Sequence, residues 1–247
     1  MDRLRATIPA QRMAPYEKAC AGTSVGPIDL YRWAGKVALA VFDDLGTVEV
    51  AMRSAMGREL AAAQGLEWYK RTDLLDNDTL KLIEGAWKTG RLDKLTASSD
   101  VIHGKLVATL MFGFWIKVLG RGAYYQMEGG PRERRIYDTL LWKSALRKAF
   151  PNVGDLDRAR VEAAARHVQA LRNRIAHHEH IVWGVPLPGE QKSDGTIVRL
   201  TVNEAHDTLL TLAGFVDAGL EDWLREYSQV PALLAACPVP DKTRFLL

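Results

Sequence analysis

One run of apolar residues constrains the fold of this chain more than any other feature. Between residues 28 and 63, apolar side chains recur at steps of three and four residues, which is the spacing of one face of an α-helix. The run consists of Leu30, Trp33, Val37, Val41, Leu45, Val48, Met52, Met56 and Leu60. One long helix, or two helices with a bend near Gly46, would fit this pattern.

The rest of the chain also favours helices, separated by breaks rich in glycine and proline. The further predicted helices lie at residues 79–89, about 98–119, 132–149, 155–180 and 201 to about 227. Thr201 and Glu204 have the spacing of a capping box, with Asn203 as a rival cap. Residues 181–200 are β-like and predict a short hairpin or an irregular loop. The predicted fold class is therefore all-α, with this one short hairpin or loop.

The same breaks predict how the chain is organised. Residues 1–27 contain three prolines and two glycines with little periodicity, and we expect a partly ordered N-terminal arm. We expect residues 28–230 to form the helical domain and residues 231–247 a loose C-terminal tail. The predicted helix over residues 155–180 is called the motif helix below.

Cysteine content and hydropathy indicate the compartment. Cys20 and Cys237 are too few and too far apart to imply a disulfide framework, and they fit a reducing cytosol. The first twenty residues contain no apolar segment typical of a secretory signal, and no stretch of about 18 apolar residues occurs. We therefore expect a cytoplasmic protein without a membrane partner.

Basic charge is concentrated in one part of the chain. The net charge is only +3, but residues 132–174 hold eleven Lys and Arg against five acids, which leaves the remainder at −3. Such a segment attracts polyanions, although a solvated basic helix face would have the same composition. The arginines that we expect to contact such a polyanion, which the chemistry below takes to be RNA, are Arg132, Arg134, Arg135, Arg166 and Arg174.

The basic segment leads into an unusual run of polar residues from Leu171 to His180. This run holds three histidines, two arginines, an asparagine and a carboxylate. On a helix, Asn173, His177 and His180 fall within about 60° of one another, opposite the apolar face. A purely structural helix would usually carry Lys, Glu or Gln at such positions.

Arg172 and His177 are five residues apart, so on a straight helix they point about 140° away from each other. One straight copy cannot aim both side chains at one phosphate. Either the helix distorts or a second copy supplies the missing half, and a twofold homodimer would bring both sets to one cleft.

These residue types suit RNA cleavage without a metal or another cofactor. Histidine is the side chain whose ordinary pKa allows it to act as a base near neutral pH, here on a ribose 2′-OH. Arg172 and Asn173 supply donors for the charge that develops on the phosphorane. The products would be a 2′,3′-cyclic phosphate and a 5′-OH, and DNA would be inert.

Several alternatives stay open. An Arg-x4-His pair occurs by chance, and Arg172 borders the apolar face, where it could pair with a buried acid such as Glu49. Three histidines and Glu179 could bind a metal, but the adjacent His177 and His178 diverge by about 100° and make a poor chelate.

Four segments of the chain resemble, in the same order, segments of the bacterial Abi-like (abortive infection, AbiD/AbiF-type) family, which carries the R-x4-6-H signature of HEPN ribonucleases. Residues 45–53 resemble its hhE-hhhR helix and residues 110–115 its LTFGFW segment. Residues 149–151 resemble its aFp boundary and residues 171–181 its LRNRIAHHEPI run. This chain departs from the family pattern at two positions. His180 stands where the family commonly has proline, which would let the motif helix run one turn further, and Ser54 stands where the family often has asparagine.

The resemblance implies a HEPN-like helical bundle with an N-terminal helical extension, and a homodimeric ribonuclease of phage defence or of a toxin system. It implies catalytic roles for Arg172, Asn173 and His177. A structured small RNA or a protein antitoxin would restrain the activity. The alternatives are a protein that holds a noncoding RNA without cleaving it and a dimeric interaction module whose HEPN motif has decayed. The auxiliary candidates are His178, His180, Glu49 and Arg53, the last two of which could form an i,i+4 pair.

Overall fold

A computed structural model describes residues 7–154 and 158–239, and these residues are mostly α-helical, which confirms the predicted fold class. The helices are α1 (Ala10–Cys20), α2 (Pro27–Gln64), α3 (Asn77–Thr89), α4 (Ser99–Thr109), α5 (Phe112–Leu119), α6 (Arg158–Ala176), α7 (Val202–Val216), α8 (Ala218–Tyr227) and α9 (Val230–Ala235). The strands are β1 (Tyr124–Gln126), β2 (Arg132–Arg134), β3 (Val185–Gln191) and β4 (Ile197–Leu200). Helix α6 is the motif helix.

The described residues form two compact units. The terminal unit comprises residues 7–46, 167–211 and 222–239, and the central unit comprises residues 47–154, 158–166 and 212–221. The long helix α2 contributes its first part to the terminal unit and its remainder to the central unit. It is a single helix, so of the two predicted forms the continuous one is found.

Helix α1 lies in the segment that we expected to be a partly ordered arm. It buries Met13, Tyr16, Ala19 and Cys20 in the core of the terminal unit. The helix has no side-chain cap and contains Pro15, so the sequence lacks the capping signal by which a helix is predicted and holds a residue that usually breaks one. The first six residues of the predicted arm lie outside the described residues.

The central unit has an aromatic core. Phe114 and Trp115 lie edge to face with ring centroids 5.0 Å apart, and both contact the buried Trp68. The apolar run around them was predicted to form one helix from about residue 98, but it is broken into α4 and α5, whose axes differ by 96°. Within the described residues no single helix is long and apolar enough to cross a membrane, and only this bent pair meets the requirement jointly.

Residues 132–149, predicted as a helix, take a different structure. Their first three residues form β2, which pairs antiparallel with β1 so that Tyr124 lies opposite Arg134. A π-helical turn at Asp138–Lys143 and a 3₁₀ turn at Leu146–Ala149 follow. The chain can turn back into this hairpin because Gly122 and Gly129 adopt positive φ angles, which glycine tolerates.

The second hairpin and the capping box follow the sequence more closely. Strands β3 and β4 pair antiparallel within the predicted 181–200 segment. The N–H of Glu204 donates to Oγ1 of Thr201 at 3.0 Å, and the N–H of Thr201 donates to Oε2 of Glu204 at 2.7 Å, which confirms the capping box. The last predicted helix is divided into α7 and α8, because Oδ1 of Asp217 accepts the N–H of Leu220 and caps a new helix. The tail that we expected to be loose from residue 231 instead contains most of α9, and Val239 is buried in the core of the terminal unit, whereas residues 240–247 lie outside the described residues.

Candidate active site

The motif helix ends earlier than we predicted. It stops at Ala176 instead of residue 180, and its predicted start at residues 155–157 lies outside the described residues. The N–H of His178 donates to the carbonyl of Ile175, and the N–H of Glu179 donates to the carbonyl of Arg174, each at 2.9 Å. His178 adopts a left-handed conformation with φ 54°. This pattern is a Schellman motif, with histidine where glycine is usual.

Arg12 on α1 helps to fix this helix end. Its Nη2 donates to the carbonyl oxygens of both His177 and His178. A cation that binds the last carbonyls of a helix satisfies unpaired acceptors and complements the helix dipole. Sequence reasoning missed Arg12, because its partners lie more than 160 residues away and no local pattern connects them.

The side chain of Arg174 binds residues of the turn that follows the helix. Its side chain is only 11% exposed, its Nε donates to the carbonyl of His180 at 2.6 Å, and its Nη1 lies 2.8 Å from Oε2 of Glu179. Burial lowers the pKa of Arg174 from its ordinary value, although the Glu179 carboxylate opposes that change. Arg174 therefore works inside the protein, which argues against its predicted role as an exposed RNA contact.

His180 lies against the same guanidinium. Its Nε2 is 3.3 Å from Nη2 of Arg174. Burial, reinforced by the charges of Arg174 and Arg199, lowers the pKa of His180 to about 4, so the ring is neutral at neutral pH. The prediction that His180 continues the Asn173 and His177 stripe is wrong, because the helix has already ended four residues before it.

The three residues assigned to catalysis have a different environment. Asn173 and His177 are exposed, and Arg172 is partly exposed. None of the three side chains forms a hydrogen bond or an ion pair with another residue in the described part of the chain. Asn173 and His177 are joined through the backbone, because the N–H of His177 donates to the carbonyl of Asn173 at 2.9 Å. Their polar groups are therefore available to a ligand.

Glu49 and Arg53 belong to the central unit, whereas the end of the motif helix belongs to the terminal unit. The i,i+4 ion pair that we allowed for is not formed between these described residues. Instead Nη1 of Arg53 donates to the carbonyl of Ala108, near the end of α4, at 3.1 Å. This bond is a structural tie within the central unit.

The predicted RNA-contacting arginines separate into free and engaged side chains. Arg132 and Arg134 on β2 are exposed. Arg135, which we expected to contact RNA, is buried, and its Nε donates to the carbonyl of Thr72 at 2.9 Å. Arg166 is exposed but forms an ion pair with Glu162 at 2.6 Å. Only the first two keep their donors entirely for an external partner.

An apolar groove of about 720 Å³ lies beside the end of the motif helix, within the terminal unit. Its lining includes His178 and Glu179 as well as Leu39 and Phe42 of α2. Leu39 is 72% exposed and Phe42 is 45% exposed, which is unusual for large apolar side chains on one helix face.

The alternative of a metal site is not supported by the placement of the side chains. Among residues 7–154 and 158–239, no three His, Cys, Asp or Glu side chains lie close enough to share an ion. The histidines of the cluster are divided between an exposed helix face, a left-handed turn and a half-buried position against Arg174.

Comparisons of the chain with known protein families, with curated proteins and with solved structures find no match.

Proposed function

We propose that this protein is a HEPN-type endoribonuclease of the Abi-like family, which cleaves RNA in the cytoplasm without a metal as part of phage defence or of a toxin system. The observation that carries the proposal is the free state of Arg172, Asn173 and His177, whose neighbours Arg174 and His180 are engaged. The capped backbone fixes the end of the helix, and the unpartnered side chains of these three residues are available to an external phosphate.

The proposed reaction uses these side chains directly. His177 takes the proton of a ribose 2′-OH while the 2′-oxygen attacks the adjacent phosphorus. The bond from phosphorus to the 5′-oxygen breaks, and the leaving oxygen takes up a proton from an acid of the site or from water. Arg172 and Asn173 donate hydrogen bonds to the charged phosphorane oxygens. The products are a 2′,3′-cyclic phosphate and a 5′-OH.

We further propose that the active form is a homodimer. The exposed groove beside the helix end, with Leu39 and Phe42 at its wall, offers an apolar surface next to the proposed site. A second copy bound in this groove would bring its own Arg172 and His177 close to those of the first copy. The two sets would then form the shared cleft that the spacing of Arg172 and His177 requires.

A second candidate function is binding of a structured noncoding RNA without cleavage, and the unpaired, exposed Arg132 and Arg134 favour it. The same RNA, or a protein antitoxin, would serve as the restraint if the protein is a nuclease. RNA that copurifies with the protein separates the two functions. One discrete species indicates a stored RNA, whereas heterogeneous fragments indicate a nuclease.

The direct test is RNA cleavage by purified variants. Arg172→Ala and His177→Ala should each reduce the rate by about 10²–10⁴-fold with unchanged circular dichroism. His167→Ala is the matched control, since His167 lies on the same helix and pairs with Glu190 at 2.7 Å. Cleavage within a few-fold of the parent by both catalytic variants would refute the assignment, as would an activity that EDTA abolishes and Zn²⁺ or Mn²⁺ restores.

The test of the dimer is light scattering, which should give about twice the 27.5 kDa of the chain for the protein component. A strictly monomeric protein that still cleaves RNA would contradict the shared cleft.

A further inference from the structure

The hairpin of β1 and β2 in the central unit is fixed at both ends, by Asn77 next to its turn and by Arg135 and Gly122 at its base. The Nδ2 of Asn77 donates to the carbonyl of Gln126 at 3.0 Å, and the N–H of Gln126 donates to Oδ1 of Asn77 at 3.1 Å. Arg135 is bound to the Thr72 carbonyl, as described above. At Gly122 a Cβ atom would lie 2.2 Å from the carbonyl oxygen of Arg135, so the chain passes itself too closely there for any side chain. The strands are therefore presented on a fixed support.

The strands of this hairpin carry more positive than negative charge. Glu133 is its only acid on the strands, and Oε2 of Glu133 is 2.8 Å from Nη1 of Arg135, so the pair is close to neutral. Arg132 and Arg134 form no hydrogen bond and no ion pair among the residues that the structure describes. Two guanidinium groups therefore keep all their N–H donors for an external acceptor.

Both guanidinium groups are positioned by one aromatic ring. The Cζ of Arg132 is 3.8 Å from the centroid of the Tyr124 ring, and the Cζ of Arg134 is 5.0 Å from it. Tyr124 is itself 40% exposed. Stacking on an aromatic ring restricts the long arginine side chains while leaving their edges open, which lowers the entropic cost of binding an anion.

We propose that Tyr124, Arg132 and Arg134 form a platform that binds single-stranded RNA. This inference rests on the proposed function, because it assigns the substrate class of the same protein. Arg132 and Arg134 are residues i and i+2 of β2, so both side chains extend from the same face of the hairpin, the face that carries the Tyr124 ring. An exposed stack of a ring and guanidinium planes binds unpaired bases, whose faces a duplex hides.

The experiment measures binding by fluorescence anisotropy with a labelled 2′-O-methyl oligonucleotide of about 15 nucleotides, single-stranded or annealed to its complement. The 2′-O-methyl groups remove the attacking hydroxyl, so binding is measured independently of cleavage. The full-length parent is compared with Arg132→Gln/Arg134→Gln, Tyr124→Ala and Tyr124→Phe. The matched control is Arg147→Gln/Lys148→Gln, which removes the same charge from exposed positions of the same unit.

We expect the Arg132→Gln/Arg134→Gln variant to bind the single strand about tenfold more weakly, and its salt slope to fall by about 1.4, since each phosphate contact contributes about 0.7. Tyr124→Ala should weaken binding several-fold, whereas Tyr124→Phe and the control should stay within about twofold of the parent, because Phe keeps the ring and the control spares the platform. Circular dichroism verifies that each variant is folded.

The proposal is overturned if the platform variants bind like the parent, if the control weakens binding equally, if the duplex loses as much affinity as the single strand, or if the parent binds neither form. Failure of the proposed function has a different signature. A parent that binds the single strand through the platform but leaves unmodified RNA intact would retain the platform and refute the nuclease.

Discussion

Two groups of side chains at the end of the motif helix contain the same residue types in different environments. Arg172 and His177 are unpartnered among the described residues, whereas Arg174 and His180 lie against each other and against Glu179. The difference arises from one left-handed residue, because the chain reverses at His178 and brings the later residues back to Arg174. Neighbouring arginines and histidines thus divide into an unpaired set, to which we assign the proposed catalysis, and a structural set.

The largest expected effect separates the two arginines. Arg172→Ala should lower the cleavage rate by about 10²–10⁴-fold with little change in stability. Arg174→Ala should lower the free energy of unfolding by about 2 kcal/mol, because it leaves the His180 carbonyl and the Glu179 carboxylate without their donor. Single-turnover cleavage and urea denaturation measure the two effects. The comparison fails if Arg172→Ala is the variant that unfolds more easily.

The second prediction concerns the pH dependence that His180 confers. Its pKa is about 4 in the folded protein against an ordinary 6.5, so between these values the unfolded chain binds a proton that the folded protein does not. The free energy of unfolding should therefore fall as the pH decreases from 6.5 towards 4. His180→Gln removes this contribution, and denaturation of both proteins across that window should show a shallower pH slope for the variant. Equal slopes would contradict the buried, neutral ring.

The third prediction tests the contact between α1 and the helix end. Arg12→Ala should lower the free energy of unfolding by about 1 kcal/mol, because the carbonyls of His177 and His178 lose their cationic donor. Gln11→Ala, at the exposed neighbouring position, is the control and should change little. Thermal and urea denaturation give both values. A control that destabilises as much as Arg12→Ala would show that the effect belongs to α1 in general.

The smallest expected effect is a gain in stability. His178→Gly should raise the free energy of unfolding by about 0.5 kcal/mol, since relief of the left-handed backbone exceeds the added entropy of glycine. His178→Val should lower it, because a β-branched residue tolerates this conformation poorly. If His178→Gly reduced cleavage more than about tenfold, His178 would belong to the catalytic set and the boundary would move by one residue.

Local signals in the sequence predicted the parts of the fold that local interactions determine. The apolar period of α2 and the reciprocal hydrogen bonds of Thr201 and Glu204 act over three or four residues, and both predictions are confirmed. Helix α1 and the first hairpin were not predicted, because local signals in the sequence are weak or absent there. Helix α1 packs on distant residues, and β1 and β2 are three residues long, too short for a periodic signal.

The candidate site shows the same division. Residue chemistry and helical spacing selected Arg172, Asn173 and His177, and that selection stays a prediction. Spacing alone could not reveal that Arg174 and His180 contact each other inside the protein. This contact depends on the reversal of the chain at His178, whose left-handed conformation is uncommon for histidine. The carbonyl of Thr72 that holds Arg135 is likewise 63 residues away from it.

The first hairpin has a base that excludes every side chain at Gly122 and a turn where Gly129 has open space around it. Met127 in that turn is 64% exposed. The base therefore excludes substitution at Gly122, whereas the tip has room for change at Met127 and for insertions that leave the paired strands intact, although the φ of 71° at Gly129 still favours glycine. Changes of length and sequence at the tip would therefore alter the surface beside Tyr124, Arg132 and Arg134 without disturbing the strands that carry them.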